Sequence, residues 1–564
     1  MTPEEIRERI ISIVGKTGGH LASSLGAVEI ACALNEVFEP EKDRIVWDVG
    51  HQAYAWKILT GRNDKFDTLR QFGGISGFPN PKESKADAAV AGHAGMAMSV
   101  ALGMAAARDK RGTDEHVVAV VGDASMANGV SFEALNNCAH ATRKLIVVLN
   151  DNEMSISKPI GSFARFLGRL ITGVRYNRVK KAAEQAGHGL KLTFLRDIYH
   201  EVESRIKGLF LASRYFEQFG LRYIGPVDGH DLKALIEAFT VAKEDKRSVI
   251  VHVVTKKGKG YGPAEVAPTK FHGVGAFASG QQPAGGESWS QAFGNAVRWL
   301  AREDGRVVAL TAAMKDGTGL ADFANEFPDR FCDVGIAEEH LIGFAAGLAA
   351  GGLRPVVAIY STFLQRAIDQ VVHDLAISNL PVIIAIDRAG VVGADGVTHQ
   401  GIYDLAMLRA IPNVTICQPK DAADLQRLMK EALERGGVTA IRYPRGVCGQ
   451  AEAKSFGSGN IAIWCTGDWT EKANKVAEKV GGTVVQARYL KPIDEALLAK
   501  QRSEGMLIVS LENAAAIGGL GDAIKADMKF GWPDEFVPHG KTTELERKYG
   551  LDAETIAERI LQHG

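Results

Sequence analysis

The stretch VVAVVGDASMANGVSFEAL, residues 117–135, followed by LIVVLNDNEMSIS at 145–157, decides how this chain is read. Val117–Val121 and Leu145–Leu149 are apolar at every position, so both faces of each segment must be covered, as in the strands of a parallel sheet. Between them FEALNNCAHATR (132–143) carries a helical pattern, which completes a strand–helix–strand unit. The first strand ends at Gly122-Asp123 and the second at Asn150-Asp151-Asn152, and the carboxyl ends of neighbouring parallel strands are where open sheets bind ligands. Asp123 offers a carboxylate and Asn152 a carbonyl oxygen, hard ligands suited to Mg²⁺ bridging a diphosphate. The turn through Ala124 and Ser125 opens main-chain N–H groups towards the same anion. Taken alone, the segment is equally well an Asp helix cap and an Asn turn.

Outward from this unit the same grammar repeats. Short apolar runs occur at 248–254, 307–311, 355–359, 381–386, 461–465 and 506–511, with helical patterns such as LADFANEF (320–327) among them. This alternation predicts α/β layers. SGQQPAGGES (279–288) and YPRGVCGQAEAKSFGSGN (443–460) read as linkers and divide the chain into domains at 1–280, 288–445 and 458–564. The first block is large for one α/β unit, and its stretch 159–215 is weakly patterned. The opening MTPEEIRERIISIVG lacks the basic-then-apolar order of a signal peptide and predicts a helix starting near Thr2, with Pro3 in its first position.

The 564 residues are 46% hydrophobic and 24% charged, a globular composition, and length alone suggests roughly three or four domains. Lys+Arg 66 against Asp+Glu 67 leaves a net charge of −1, so no global field favours nucleic acid or an anionic membrane. No apolar run approaches the ~18 residues of a spanning helix. The six cysteines lie far apart without a C-x-x-C pair, which argues against a disulfide scaffold or a zinc site and for reduced thiols in the cytoplasm.

Gly122-Asp123 with the later Asn152 resembles the thiamine-diphosphate motif of transketolase-like enzymes. The surrounding words narrow the resemblance to the 1-deoxy-D-xylulose-5-phosphate synthase family: GGHLASSLGAVE (18–29), WDVGHQAYAWKILTGR (47–62), YIGPVDGHD (223–231), KKGKGYGPAE (256–265), VGIAEEH (334–340), YSTFLQRA (360–367), IDRAGVVGADGVTHQG (386–401) and YPRG (443–446). These matches follow the family's order along nearly the whole chain. The resemblance implies an α/β protein of three domains, two thiamine-diphosphate-binding parallel-sheet units and a C-terminal transketolase-like domain, acting as a homodimer with the cofactor between the first two domains. It implies condensation of pyruvate with D-glyceraldehyde 3-phosphate, with loss of carbon dioxide, to give 1-deoxy-D-xylulose 5-phosphate, the entry to isoprenoids and a precursor of thiamine and pyridoxal phosphate. Transketolase-type ketol transfer, or carboligation with another aldehyde, remains an alternative at this point.

Site residues follow from the same resemblance. Glu338, just after DVGIA (333–337), which reads as a strand, is the carboxylate that protonates the cofactor's pyrimidine, with Glu339 turned away. Phe363 stacks on that ring, Ile156 presses beneath the cofactor, Tyr261 lies close by, and Met154 gives a carbonyl to the Mg²⁺ held by Asp123 and Asn152. His20, His51, His93, His272 and His399 occupy family positions suited to proton transfer. Arg388 and Arg445 take the acceptor's phosphate, with Tyr360, Arg366 and Asp395 lining the site. Lys256, Lys257 and Lys259 read as a solvated basic loop from which one lysine can reach the diphosphate. Two departures stand out: Ala94-Gly95-Met96 follows His93 where the family has small hydroxyl residues, and Ala124 replaces a glycine.

Overall fold

Both faces of every central strand are covered, as the apolar runs require. The computed structural model describes residues 1–152, 162–163, 166, 213–277, 285–457 and 459–563. The chain separates into two compact units, one formed by Met1–Arg70 with Gly74–Gln281, the other by Gln71–Gly73 with Gln282–Gly564.

The first unit is built on five parallel strands, β1 (Arg44–Trp47), β2 (Val117–Gly122), β3 (Ile146–Asp151), β4 (Leu221–Asp228) and β5 (Ser248–Val254), in the order β1-β2-β3-β5-β4. β3 lies at the centre and is buried along its whole length. The N-terminal helix Pro3–Thr17 begins where the sequence predicts: Thr2 and Glu5 form a reciprocal capping box, and Pro3 spends no amide. The helix after β2 is interrupted, a turn at Asp123–Met126 and then Gly129–Ala141 capped by Asn128.

The second unit holds two sheets. β6 (Val307–Thr311), β7 (Phe331–Asp333), β8 (Arg354–Tyr360), β9 (Ile383–Asp387), β10 (Val414–Cys417) and β11 (Val438–Arg442) are parallel. β12 (Ile461–Cys465), β13 (Thr483–Gln486), β15 (Leu507–Ala515) and β16 (Met528–Trp532) form the other parallel sheet. Between β13 and β15 the chain crosses back, and β14 (Tyr489–Lys491) pairs antiparallel with β10 at the edge of the larger sheet. β7 stops at Asp333, so Val334–Ala337, which the sequence suggests as strand, is a loop. Among the described residues no helix is long and apolar enough to cross a membrane, and the six cysteines are free.

Arg442, at the carboxyl end of β11, is fully buried and welds the two sheets of this unit together. It forms a two-pronged pair with Asp404 at 2.9 and 3.0 Å, donates to Gln418 Oε1 at 2.6 Å and reaches the main-chain oxygen of Asn513 at 3.2 Å. The planar guanidinium makes four bonds to three residues at once, one more than the three N–H donors of an ammonium allow. Removing one partner leaves an uncompensated buried charge. Asp404→Ala is therefore expected to destabilise the second unit by about 3–5 kcal/mol, read as a lowered urea midpoint; an unchanged midpoint contradicts the role given to this pair.

Candidate active site

In the first unit the polar residues gather where β1, β2, β3 and β5 end. Gly122 pairs with Asn150 in register, so Asp123 and Asn152 leave adjacent strands on the same edge of the sheet. Asp123 is buried, and burial, reinforced by the Asp151 carboxylate, raises its pKa to about 7. Lys257 opposes that rise. Burial in turn pushes the Lys257 ammonium down to about 8, with Asp123 pulling it back up. Lys257 is thus no solvated loop residue: the turn after β5 carries it inward beside Asp123, while Lys256 stays exposed and pairs with Glu265. Ala124 lies in the helical turn Asp123–Met126, a conformation open to alanine, and Ser125 is buried in the same turn.

Three histidines form a triangle. The ring centroids of His20 and His51 are 5.9 Å apart, those of His20 and His272 5.8 Å, and those of His51 and His272 5.2 Å. They are distant in sequence and are brought together by backbone stitching. Gly19 and Val274 exchange hydrogen bonds at 2.8 and 2.9 Å, and Ala22 N–H donates to Phe271 O at 2.9 Å. Burial first, then the other imidazoles and the Lys257 charge, hold His51 and His272 well below the usual histidine pKa. Both are therefore neutral near pH 7, and the Nδ1 atom of His51 is buried without a hydrogen-bond partner among the described residues.

The loop after His93 is organised by a residue the sequence reading left unassigned. Asp48, directly after β1, accepts N–H bonds from Gly95 at 2.9 Å and Ala97 at 3.0 Å. Those two amides are committed to Asp48 and do not stand in for the hydroxyls missing at Ala94 and Met96. Gly95 has φ +84°, and a Cβ there would stand 2.4 Å from Asn128 Oδ1. The turn before His51 is strained: Val49, a β-branched residue, has φ +60°. His93 is half-buried in this loop, and Tyr261 packs edge-on against Phe271 at 5.7 Å. Met154 and Ile156 lie outside the described residues.

The second unit gathers its own cluster beyond β7, β8 and β9. Glu338 opens the helix Glu338–Ala350 and is buried, whereas Glu339 is half-exposed. Burial raises the Glu338 pKa, and Arg366, whose Nη1 donates to Oε2 at 3.3 Å, opposes the rise. Phe363 stacks with Tyr360 at 5.6 Å and meets His399 edge-on at 5.9 Å. The Arg388 guanidinium lies 4.1 Å over the Tyr360 ring. Arg445 is paired with Asp395 at 3.6 Å. The Tyr360 hydroxyl is buried with no hydrogen-bond partner among the described residues, an unspent donor beside Arg388. These contacts form three groups: Glu338 with Arg366, Tyr360 with Phe363, Arg388 and His399, and Asp395 with Arg445.

Comparison with known proteins gives the family of the chain. Residues 2–255 match the family model described as 1-deoxy-D-xylulose-5-phosphate synthase, and 286–450 match the pyrimidine-binding domain of transketolase. The chain is 46% identical to 1-deoxy-D-xylulose-5-phosphate synthase 2 of Geobacter sulfurreducens, covering 99% of this chain and 95% of that protein. It belongs to the 1-deoxy-D-xylulose-5-phosphate synthase family. The family synthase of Natranaerobius thermophilus is 45% identical, over 99% of this chain and 94% of its own length. Among solved structures, transketolase of Campylobacter jejuni superposes with a TM-score of 0.45 at 16% identity, covering 100% of both chains.

No three His, Cys, Asp or Glu side chains converge as a metal site among the described residues. A cation at Asp123 would accordingly be completed by amide, carbonyl and ligand oxygens, a donor set that suits Mg²⁺. The neutral histidines give a pH prediction. Their folded pKa lies below the unfolded value near 6.5, so the unfolded chain gains protons first and stability falls as pH drops below about 6.5. In His272→Asn the loss of melting temperature between about pH 7 and pH 5.5 should be smaller than in the parent; an equal or larger loss, by calorimetry at stepped pH, contradicts a neutral His272.

Proposed function

We propose that this chain condenses pyruvate with D-glyceraldehyde 3-phosphate, releasing carbon dioxide and forming 1-deoxy-D-xylulose 5-phosphate, with thiamine diphosphate and Mg²⁺ as cofactors. The observation that carries the reading is in the second unit: a buried carboxyl held by Arg366, an aromatic stack under Arg388 with an unspent phenol, and Arg445 paired with Asp395. Family membership supports it. The chain's domains on this reading are 1–280, 288–445 and 458–564.

Bound thiamine diphosphate supplies a nucleophilic ring carbon and an electron sink, chemistry that side chains lack. Asp123 and Asn152 would hold Mg²⁺ by oxygen, with Met154 as a further carbonyl, and a bound dication favours the ionised form of Asp123. Main-chain N–H groups at Ala124 and Ser125 and the buried Lys257 would bind the diphosphate. Glu338 would hold a proton at the pyrimidine ring nitrogen: burial favours its protonated form, and Arg366 keeps the carboxyl in place. Phe363 and Ile156 would pack on the rings, with Ala94, Gly95 and Tyr261 at the periphery. His20, the neutral His51 and His272, His93 and His399 would supply imidazoles for proton transfer. Arg388 and Arg445 would bind the acceptor phosphate as charged forks, with Tyr360 as a third donor and Asp395 fixing Arg445. A homodimer in the cytoplasm belongs to the same reading; exposed Phe344 on the helix Glu338–Ala350, Val372 on the segment Val371–Ala376 packed against that helix, and Ile377 directly after it support a covering partner.

The test is mass-spectrometric product analysis with labelled pyruvate, D-glyceraldehyde 3-phosphate, thiamine diphosphate and Mg²⁺, leaving out one at a time. Deoxyxylulose phosphate should appear only in the complete mixture; its absence there, from folded protein, rejects the reading. Glu338→Ala should lower turnover by at least about a hundredfold while Mg²⁺ binding, followed by calorimetry, is largely kept. Near-normal turnover in that variant would refute the role of Glu338.

A further inference from the structure

The loop that carries Arg388 is anchored from outside the sheet it grows from. Arg388 leaves β9 at φ +60°, and Ala389 N–H donates to Tyr443 O at 3.0 Å. Gly390 and Gly401 exchange two backbone hydrogen bonds, at 2.6 and 2.8 Å. The next amide, Val391 N–H, is received by Oδ1 of Asn513, on β15 of the smaller sheet, at 3.2 Å. Gly390 has φ +90°, and a Cβ there would stand 2.2 Å from Asn513 Nδ2. Glycine at 390 therefore answers both a backbone requirement and the closeness of that amide.

Asn513 is itself fixed on every side. Its Oδ1 also accepts Trp532 Nε1–H at 2.8 Å, and its Nδ2 donates to Asp468 Oδ2 at 2.7 Å. Its main-chain N–H donates to Thr466 Oγ1 at 3.3 Å, and its carbonyl takes the Arg442 bond described above. Gln418 Nε2 closes the network onto Asp468 Oδ1 at 2.6 Å. Such a buried, satisfied network has one geometry rather than several. Further along the loop, Gln400 Oε1 takes Val392 N–H at 2.8 Å, and its Nε2 donates to Pro538 O at 3.0 Å. Arg445 Nη1 reaches Val392 O at 3.5 Å. Both arginines thus meet one loop whose position is set by residues of the smaller sheet and its flanking chain.

We propose that Asn513 is a positioning residue for the acceptor's phosphate. It holds residues 388–393 at the height from which Arg388 and Arg445 can bind together, so the smaller sheet sets the preference for a phosphorylated over an unphosphorylated aldehyde without touching the reacting atoms. The inference rests on the assignment of the two arginines in the proposed function. Charge-assisted forks depend steeply on placement, so a slack loop costs phosphate recognition before it costs chemistry.

The experiment compares kcat/KM for D-glyceraldehyde 3-phosphate and for D-glyceraldehyde, at saturating pyruvate with both cofactors, in the parent, Asn513→Ala, the double variant Asn513→Asp/Asp468→Asn, and Val476→Ala. Asn513→Ala should lower the phosphorylated-to-unphosphorylated ratio about tenfold, through a raised KM for the phosphorylated acceptor, with the pyruvate KM held within about twofold. The double variant Asn513→Asp/Asp468→Asn exchanges donor and acceptor across the Asn513–Asp468 bond, keeps an oxygen for Val391 and Trp532, and should restore most of the ratio. Val476→Ala opens a cavity in the helix Thr470–Val480 of the same layer and should leave the ratio alone. An unchanged ratio in Asn513→Ala, or an equal fall in Val476→Ala, overturns the proposal. Should Asn513→Ala not fold, Gly390→Ala drives a methyl group into the Asn513 amide: a fallen ratio supports the proposal and an unchanged one overturns it. A folded parent that makes no product from either aldehyde defeats the functional reading and this inference with it, whereas an active parent with an indifferent Asn513→Ala defeats the inference alone.

Discussion

A parallel strand covered on both faces has nowhere to keep a polar side chain except at its ends, and this constraint organises the protein. β3 is buried throughout, and β2, β8 and β9 are buried almost throughout. On β2, β3 and β9 the ionisable side chains therefore stand at or just past the carboxyl edge, where loops rather than hydrogen-bond ladders govern position. Asp123, Asn152 and Lys257 emerge this way in one unit, and Tyr360, Asp387 and Arg388 in the other. The strands contribute stability and direction, and the loops contribute chemistry.

That constraint also explains which parts of the fold were legible in the amino-acid sequence. Runs such as Val307–Thr311 and Ile461–Cys465 are apolar from end to end and announce themselves, as does the capped first helix. Arg44–Trp47, Val414–Cys417 and Tyr489–Lys491 do not, because each is short and owes its conformation to the neighbour it pairs with rather than to its own pattern. The return of Tyr489–Lys491 to the larger sheet is a tertiary event with no local signature. Where the pattern over-reached, at Val334–Ala337, the chain needed a loop to bring Glu338 round to the start of its helix.

The candidate site divides along the same line. Residues at the ends of strong runs, or inside distinctive words, could be named in advance. Lys257 could not be separated from Lys256 and Lys259, since three lysines among glycines look alike until the fold decides which one faces Asp123. Asp48 carried a usable signal, a carboxylate immediately after the run RIVW, and was passed over because its work is to hold two amides rather than to meet a ligand. The histidine triangle shows the limit most clearly. Each imidazole sat in a recognisable word, yet their mutual distances depend on Gly19 finding Val274.

That last pairing has a temporal meaning. Gly19 and Val274 stand at opposite ends of the first unit's sequence, and the stitch they form delivers His272 to His20 and His51. A nascent chain emerging from the ribosome can build β1, β2 and β3 in turn, yet it cannot assemble the imidazole triangle until residue 274 has cleared the exit tunnel. For most of its synthesis the unit is a scaffold without the imidazole triangle, which forms in a single late step when the two ends of the stitch meet.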